Sequence, residues 1–188
     1  EDILKKDTVA FSAFEYRFHP QFRQRRMRWN LPQEKHPAAI AWWHEQRTQD
    51  SLCMNAGHAF GDWWEKYHQT HPEYFALRGD GTRTPEAKGG PSIVKLCVSN
   101  PGVWTQWLDN AEQALKADPS RIMISASPND SGGFCSCEAC LAWDHPHGEP
   151  MALYGKPHVV LTDRYVRFWN ILVRGLKERF PDREVFVG

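Results

Sequence analysis

The chain has no excess of charge of either sign. Lys plus Arg and Asp plus Glu both number 23, so the formal net charge is zero. A neutral chain exerts no general electrostatic pull on nucleic acid or anionic lipid. The local basic run Arg23, Arg25, Arg26 and Arg28 reads as a solvated loop or helix face rather than an anion site. No apolar run approaches the length of a membrane span, so no membrane insertion is expected. No signal peptide opens the chain. Its first residues, Glu-Asp-Ile-Leu-Lys-Lys, look like the end of a helix already under way. An excerpt of a longer polypeptide is therefore expected, and the missing signal says nothing about compartment. Internal repeats and low-complexity tracts are absent, and no organic cofactor is expected.

What the chain does have is tryptophan: nine in 188 residues, with aromatics at 13%. Trp serves both in cores and on platforms for sugars and other partly apolar ligands. The neighbours Trp42-Trp43 and Trp63-Trp64 cannot both face one core, because adjacent side chains point apart. One of each pair is a candidate for a surface or cleft, and Trp63 is the candidate for substrate contact.

Residues 1–188 read as a single α/β domain built from β/α units. Thr8 to Arg17, Ser51 to Asn55, Arg121 to Ser127 and Glu184 to Val187 have strand character, and Val94 to Val98 is a short apolar, strand-like run. Ala38 to Gln46 and Asp62 to Thr70 suit short helical stretches. Asn100-Pro101 starts a longer helix, with Pro where no backbone donor is lost, and Val103, Trp107, Ala111, Ala114 and Leu115 follow at helical spacing. Thr162-Asp163 can cap a second long helix carrying Tyr165, Phe168, Trp169, Leu172, Val173 and Leu176. This rhythm predicts a partial TIM-type (β/α) barrel of about four strands with long loops, an excerpt of a larger barrel of about 250 residues.

The most informative stretch runs from Ser125 to Cys140. It starts as a strand, turns at Pro128, and delivers Asn129 and Asp130 at the strand's carboxyl end, where parallel α/β folds keep their working groups. Cys135, Cys137 and Cys140 follow as Cys-x-Cys-x-x-Cys, and Cys97 sits in an earlier strand-like segment. Four thiolates complete a tetrahedral structural zinc site, with sulfur about 2.3 Å from the metal. A disulfide in an exported protein is the second reading and buried free thiols the third. Cys53 reads as a small buried apolar residue. No cysteine has a dedicated base, so a catalytic thiol is not expected.

Asp130 has the placement of a general acid that protonates a departing glycosidic oxygen, working with a second carboxyl as base or nucleophile. Asn129 can hold a sugar hydroxyl. Equally, the two residues can cap a turn around Gly132 and Gly133. His58, between Gly57 and Ala59, can donate to a ligand or simply hold a loop. Glu15 and Arg17 end the first strand. Arg17 can grip a substrate carboxylate or neutralise Glu15 or Asp130, and the internal pair is preferred. Glu15 is the candidate second carboxylate.

Taken together, Ala13-Phe14-Glu15-Tyr16-Arg17, Gly57-His58-Ala59-Phe60, His71-Pro72-Glu73-Tyr74-Phe75-Ala76-Leu77, Leu96-Cys97-Val98-Ser99-Asn100-Pro101 and the Ser127 to Cys140 motif resemble the bacterial domain of unknown function 4838 family, which is grouped with the glycoside-hydrolase barrels. The stretch between Arg17 and Ser51 departs most from that pattern. The resemblance implies a TIM-type barrel and a poly- or oligosaccharide partner. It also implies export, to an extracellular or periplasmic setting, and points to His58, Asn129 and Asp130 as cleft residues. A non-catalytic carbohydrate-binding barrel and a zinc-stapled interaction domain are the alternatives to an enzyme.

Overall fold

Two long helices and the strands between them organise the molecule. A computed structural model describes residues 13, 15, 17, 21, 36–48, 54, 56–85, 90–146, 151–153, 156–158 and 160–188. The chain divides into two compact units, Glu1–Leu52 and Cys53–Gly188.

In the first unit, helix α1 spans Pro37–Glu45. It ends in a Schellman arrangement: the Thr48 amide donates to the Trp43 carbonyl (3.0 Å) and the Arg47 amide to that of His44 (2.9 Å). Arg47 takes the left-handed position, φ 54°, that glycine usually fills. Trp43 is buried while Trp42 is 47% exposed, so this tryptophan pair splits between inside and outside as expected. The expected strand Thr8 to Arg17 lies largely outside the described residues. Of Ser51 to Asn55 only Met54 is described, and Cys53 is not.

In the second unit, α2 (Trp63–Tyr67) leads into a 3-10 turn, Pro72–Tyr74. Helix α3 (Pro101–Ala117) begins where the sequence says it should: the Asn100 side chain accepts from the Gly102 amide at 2.9 Å and Pro101 fills the first turn. Val103, Trp107, Ala111 and Leu115, one residue per turn, form its buried stripe. Strand β1 (Met123–Ile124) follows, then the short helix α4 (Glu138–Leu141) and a hairpin, β2 (Met151–Leu153) with β3 (Lys156–His158). The hairpin pairs Met151 with His158 and Leu153 with Lys156. Helix α5 (Thr162–Arg179) buries Tyr165, Phe168, Leu172 and Leu176. Its N-cap is Leu161 rather than Thr162, without a side-chain bond, so the expected hydroxyl cap is not used. Asp163 and the basic Lys177 and Arg179 sit at the ends that the helix dipole favours.

Strand β4 (Phe186–Val187) pairs in parallel with β1, Met123 opposite Phe186 and Ile124 opposite Val187. Just beyond β1, Ser127 makes a parallel bridge with His58. Helices α3 and α5 pack against each other, and each sends an indole N–H to the segment that leaves β1: Trp107 donates to the Ser125 carbonyl (3.1 Å), Trp169 to that of Ala126 (3.2 Å). The rings fill the core while their N–H groups satisfy strand carbonyls. Arg183, just before β4, donates to the carbonyls of Leu115, Asp118, Pro119 and Arg121, satisfying the end of α3 and the turn into β1.

Val94 to Val98, the short apolar run, makes an antiparallel bridge between Leu96 and Phe75. Its polar groups are taken locally: Ala76 donates to the Lys95 carbonyl and Cys97 to that of Tyr74. Among the described residues, no helix is long and apolar enough to cross a membrane.

Candidate metal centre

Cys97 leaves the bridged segment with its side chain inward. Cys135, Cys137 and Cys140 arrive on the loop that follows β1. The four sulfurs lie within 4.8 Å of one another. Cys97 Sγ is 3.6 Å from Cys137 and 3.9 Å from Cys140. Sulfurs about 2.3 Å from a tetrahedral metal lie about 3.8 Å apart, whereas a disulfide needs about 2.0 Å. All four thiols are free. Cys97, Cys135 and Cys140 are buried and Cys137 is half-buried. The spacing can therefore hold a metal ion.

Local structure builds this arrangement. Cys137 is the N-cap of α4, and its sulfur accepts from the Cys140 amide at 3.4 Å. The Leu77 amide donates to Cys135 Sγ at 3.2 Å. Ser99 Oγ lies 3.1 Å from Cys140 Sγ. Thiols this close share protons unequally. Hydrogen bonds from Cys135 and Cys140 hold Cys97 far below the ordinary thiol range, while contacts to Cys135 and Cys97, with burial, push Cys140 up.

One buried cation fastens the loop from outside the sulfur set. Arg164, 2% exposed on the first turn of α5, grips Asp144 with two nitrogens (2.7 and 2.5 Å) and donates to the Cys135 carbonyl at 2.8 Å. Burial opposes its charge, but the Asp144 carboxylate outweighs that and holds the guanidinium above its ordinary value. Sequence reasoning missed Arg164 and Ser99. The signals were there: Arg164 sits four residues before Phe168 on the apolar stripe, and Ser99 alternates with Cys97 in an extended segment, hence on the same face.

The same loop carries the sugar-site candidates. Asn129 is committed to the loop itself, as in the turn-capping alternative. Its carbonyl oxygens accept from Lys95 Nζ, its Oδ1 also accepts from the Ser131 amide (3.1 Å) and hydroxyl (2.6 Å), and its amide donates to the Val94 carbonyl (3.2 Å). These bonds are the ones a turn-capping Asn129 makes. Asp130 points the other way, its side chain 98% exposed and 3.4 Å from His58 Nε2. The parallel bridge brings these two together at the carboxyl end of β1. Trp63, the candidate for substrate contact, lies in the core against Phe60, Tyr67 and Tyr74. Its neighbour Trp64 is the more exposed, stacked on His68. Glu15 and Arg17, in the first unit, pair with each other on the surface.

The model of the family described as domain of unknown function (DUF4838) matches residues 3–187, nearly the whole chain. The chain belongs to this family. Searches of curated proteins and of solved structures find no match to this DUF4838 chain. The family description carries no activity, so a functional reading of the DUF4838 domain rests on its own residues.

Proposed function

We propose that the chain is a carbohydrate-active domain, resembling glycoside hydrolases, that recognises or cleaves a poly- or oligosaccharide at the carboxyl edge of its parallel strands. In this reading the strands belong to a TIM-type barrel, Asp130 is the general acid, and His58 beside it contacts the sugar. A structural zinc on Cys97, Cys135, Cys137 and Cys140 holds the loop that presents Asp130. Zinc is the metal of choice because four soft thiolates at tetrahedral spacing suit an ion with no geometric demand of its own.

The observation that carries the reading is the meeting of His58 and Asp130 across the parallel bridge to Ser127, at the edge where parallel α/β folds bind ligands. Support for the β/α series comes from the two long helices, α3 and α5, which pack on each other and donate to the carbonyls just after β1. A recognition-only role draws on a different observation. The Asp130 side chain is almost wholly in solvent, while general acids are usually tuned by burial.

The test combines elemental analysis, glycan-array binding and reducing-sugar release on the same preparation. The expected result is about one zinc per chain and glycan retention by the wild type. Asp130→Asn should keep that retention and lose turnover by about 10²–10⁴-fold. Retention without turnover in the wild type establishes the recognition role. No retained glycan and no turnover overturns the carbohydrate reading. Metal-free chains with four titratable centre thiols overturn the zinc.

A further inference from the structure

The four sulfurs differ in where their hydrogen bonds come from. Cys135 and Cys137 receive backbone N–H groups, from Leu77 and Cys140. No substitution elsewhere removes those donors. Cys140 faces the hydroxyl of Ser99 at 3.1 Å. The same oxygen lies 3.7 Å from Cys97 Sγ and 3.8 Å from Cys137 Sγ. It therefore sits over the triangular face formed by these three sulfurs. Among the described residues, Ser99 is the one donor to the sulfurs, other than the thiols themselves, that comes from a side chain.

This face also differs in access. Cys97, Cys135 and Cys140 are 5%, 2% and 0% exposed, whereas Cys137 and Ser99 are half-buried. The less buried side of the centre is therefore the one that Ser99 and Cys137 border. A metal site needs both a satisfied outer shell and an entry path. Here one residue borders both.

We infer that Ser99 is a positioning residue of the metal centre: its hydroxyl donates to the Cys140 thiolate and covers the Cys97–Cys137–Cys140 face through which the ion is exchanged. The inference rests on the zinc reading above. Thiolates bound to a metal only accept, so the hydroxyl is the donor. Four thiolates on a divalent ion leave a net charge of about minus two in a buried place. Each donor aimed at sulfur draws off part of that charge, and its loss costs more here than in water.

The experiment uses the whole chain loaded with zinc, and separately with cobalt(II), whose thiolate charge-transfer absorption reports the electron density on sulfur. Zinc affinity and release rate are read by competition with a chromophoric chelator for the wild type, Ser99→Ala, Ser99→Thr and Ser99→Val. Ser99→Ala should bind zinc about tenfold or more weakly, release it faster, and shift the cobalt charge-transfer band to lower energy. Ser99→Thr, which keeps the hydroxyl, should restore all three. Ser99→Val, its near-isostere without the hydroxyl, should not. The Thr and Val pair decides the matter even if the Ala variant does not fold. Equal affinity, release and spectra for Thr and Val overturn the inference and leave the metal centre standing. A wild-type chain that takes up neither zinc nor cobalt overturns the zinc reading itself, and the role of Ser99 falls with it.

Discussion

Asp130 and Cys140 belong to one loop and have opposite surroundings. The Asp130 side chain is almost fully in water, with an imidazole for company. Cys140 is wholly enclosed, among three other sulfurs and beneath a buried arginine clasp. Between them, Asn129 and Ser131 tie the loop to Ile93, Val94 and Lys95. The chain thus concentrates burial at the cysteine end and leaves the Asp130 side chain in water. Residues at the anchor should govern stability, and residues at the rim should govern function.

The sharpest way to break that contrast is at Cys140. Cys140→Ala should abolish metal uptake and cost more than about 4 kcal/mol, in the range reserved for losing a metal or a disulfide, measured by chemical denaturation alongside metal content. Unchanged stability with metal still bound would erase the difference between the two ends. Next comes Arg164→Leu, which leaves Asp144 without its partner and the Cys135 carbonyl without its donor. The expected loss is about 3–5 kcal/mol. Replacing Asp144 by Leu in the same chain should recover part of it, and a second deficit that simply adds would refute the coupling. The smallest effect belongs to the rim. Asp130→Asn should move stability by less than about 0.5 kcal/mol and leave metal content alone, because an exposed ion pair contributes little. A large destabilisation there would show that Asp130 is part of the anchor after all.

The two ends were also unequally legible. Cysteine has few reasons to cluster, so the spacing of Cys135, Cys137 and Cys140 with Cys97 identified a ligand set that the fold gathers. Helices α3 and α5 were plain from their stripes, and Asn100-Pro101 marked a start. The rim was harder, because its residues have two uses. Asn129 serves equally well to hold a sugar or to close a turn, and its bonds to Lys95 and Ser131 depend on chain segments that no local pattern brings together. Adjacent tryptophans on a five-residue helix give no stripe to read, so the sequence does not say which of Trp63 and Trp64 turns inward. Val94 to Val98 reads as a short apolar run, and apolarity alone does not name its antiparallel partner around Phe75.

Arg183 acts as a clasp between two connections. Its guanidinium ties the turn after α3 to the turn before β4 through four carbonyls, two of them at the end of the helix and two beyond it. The two strands of the parallel pair start from those turns, so a single side chain holds together the points at which both enter the sheet.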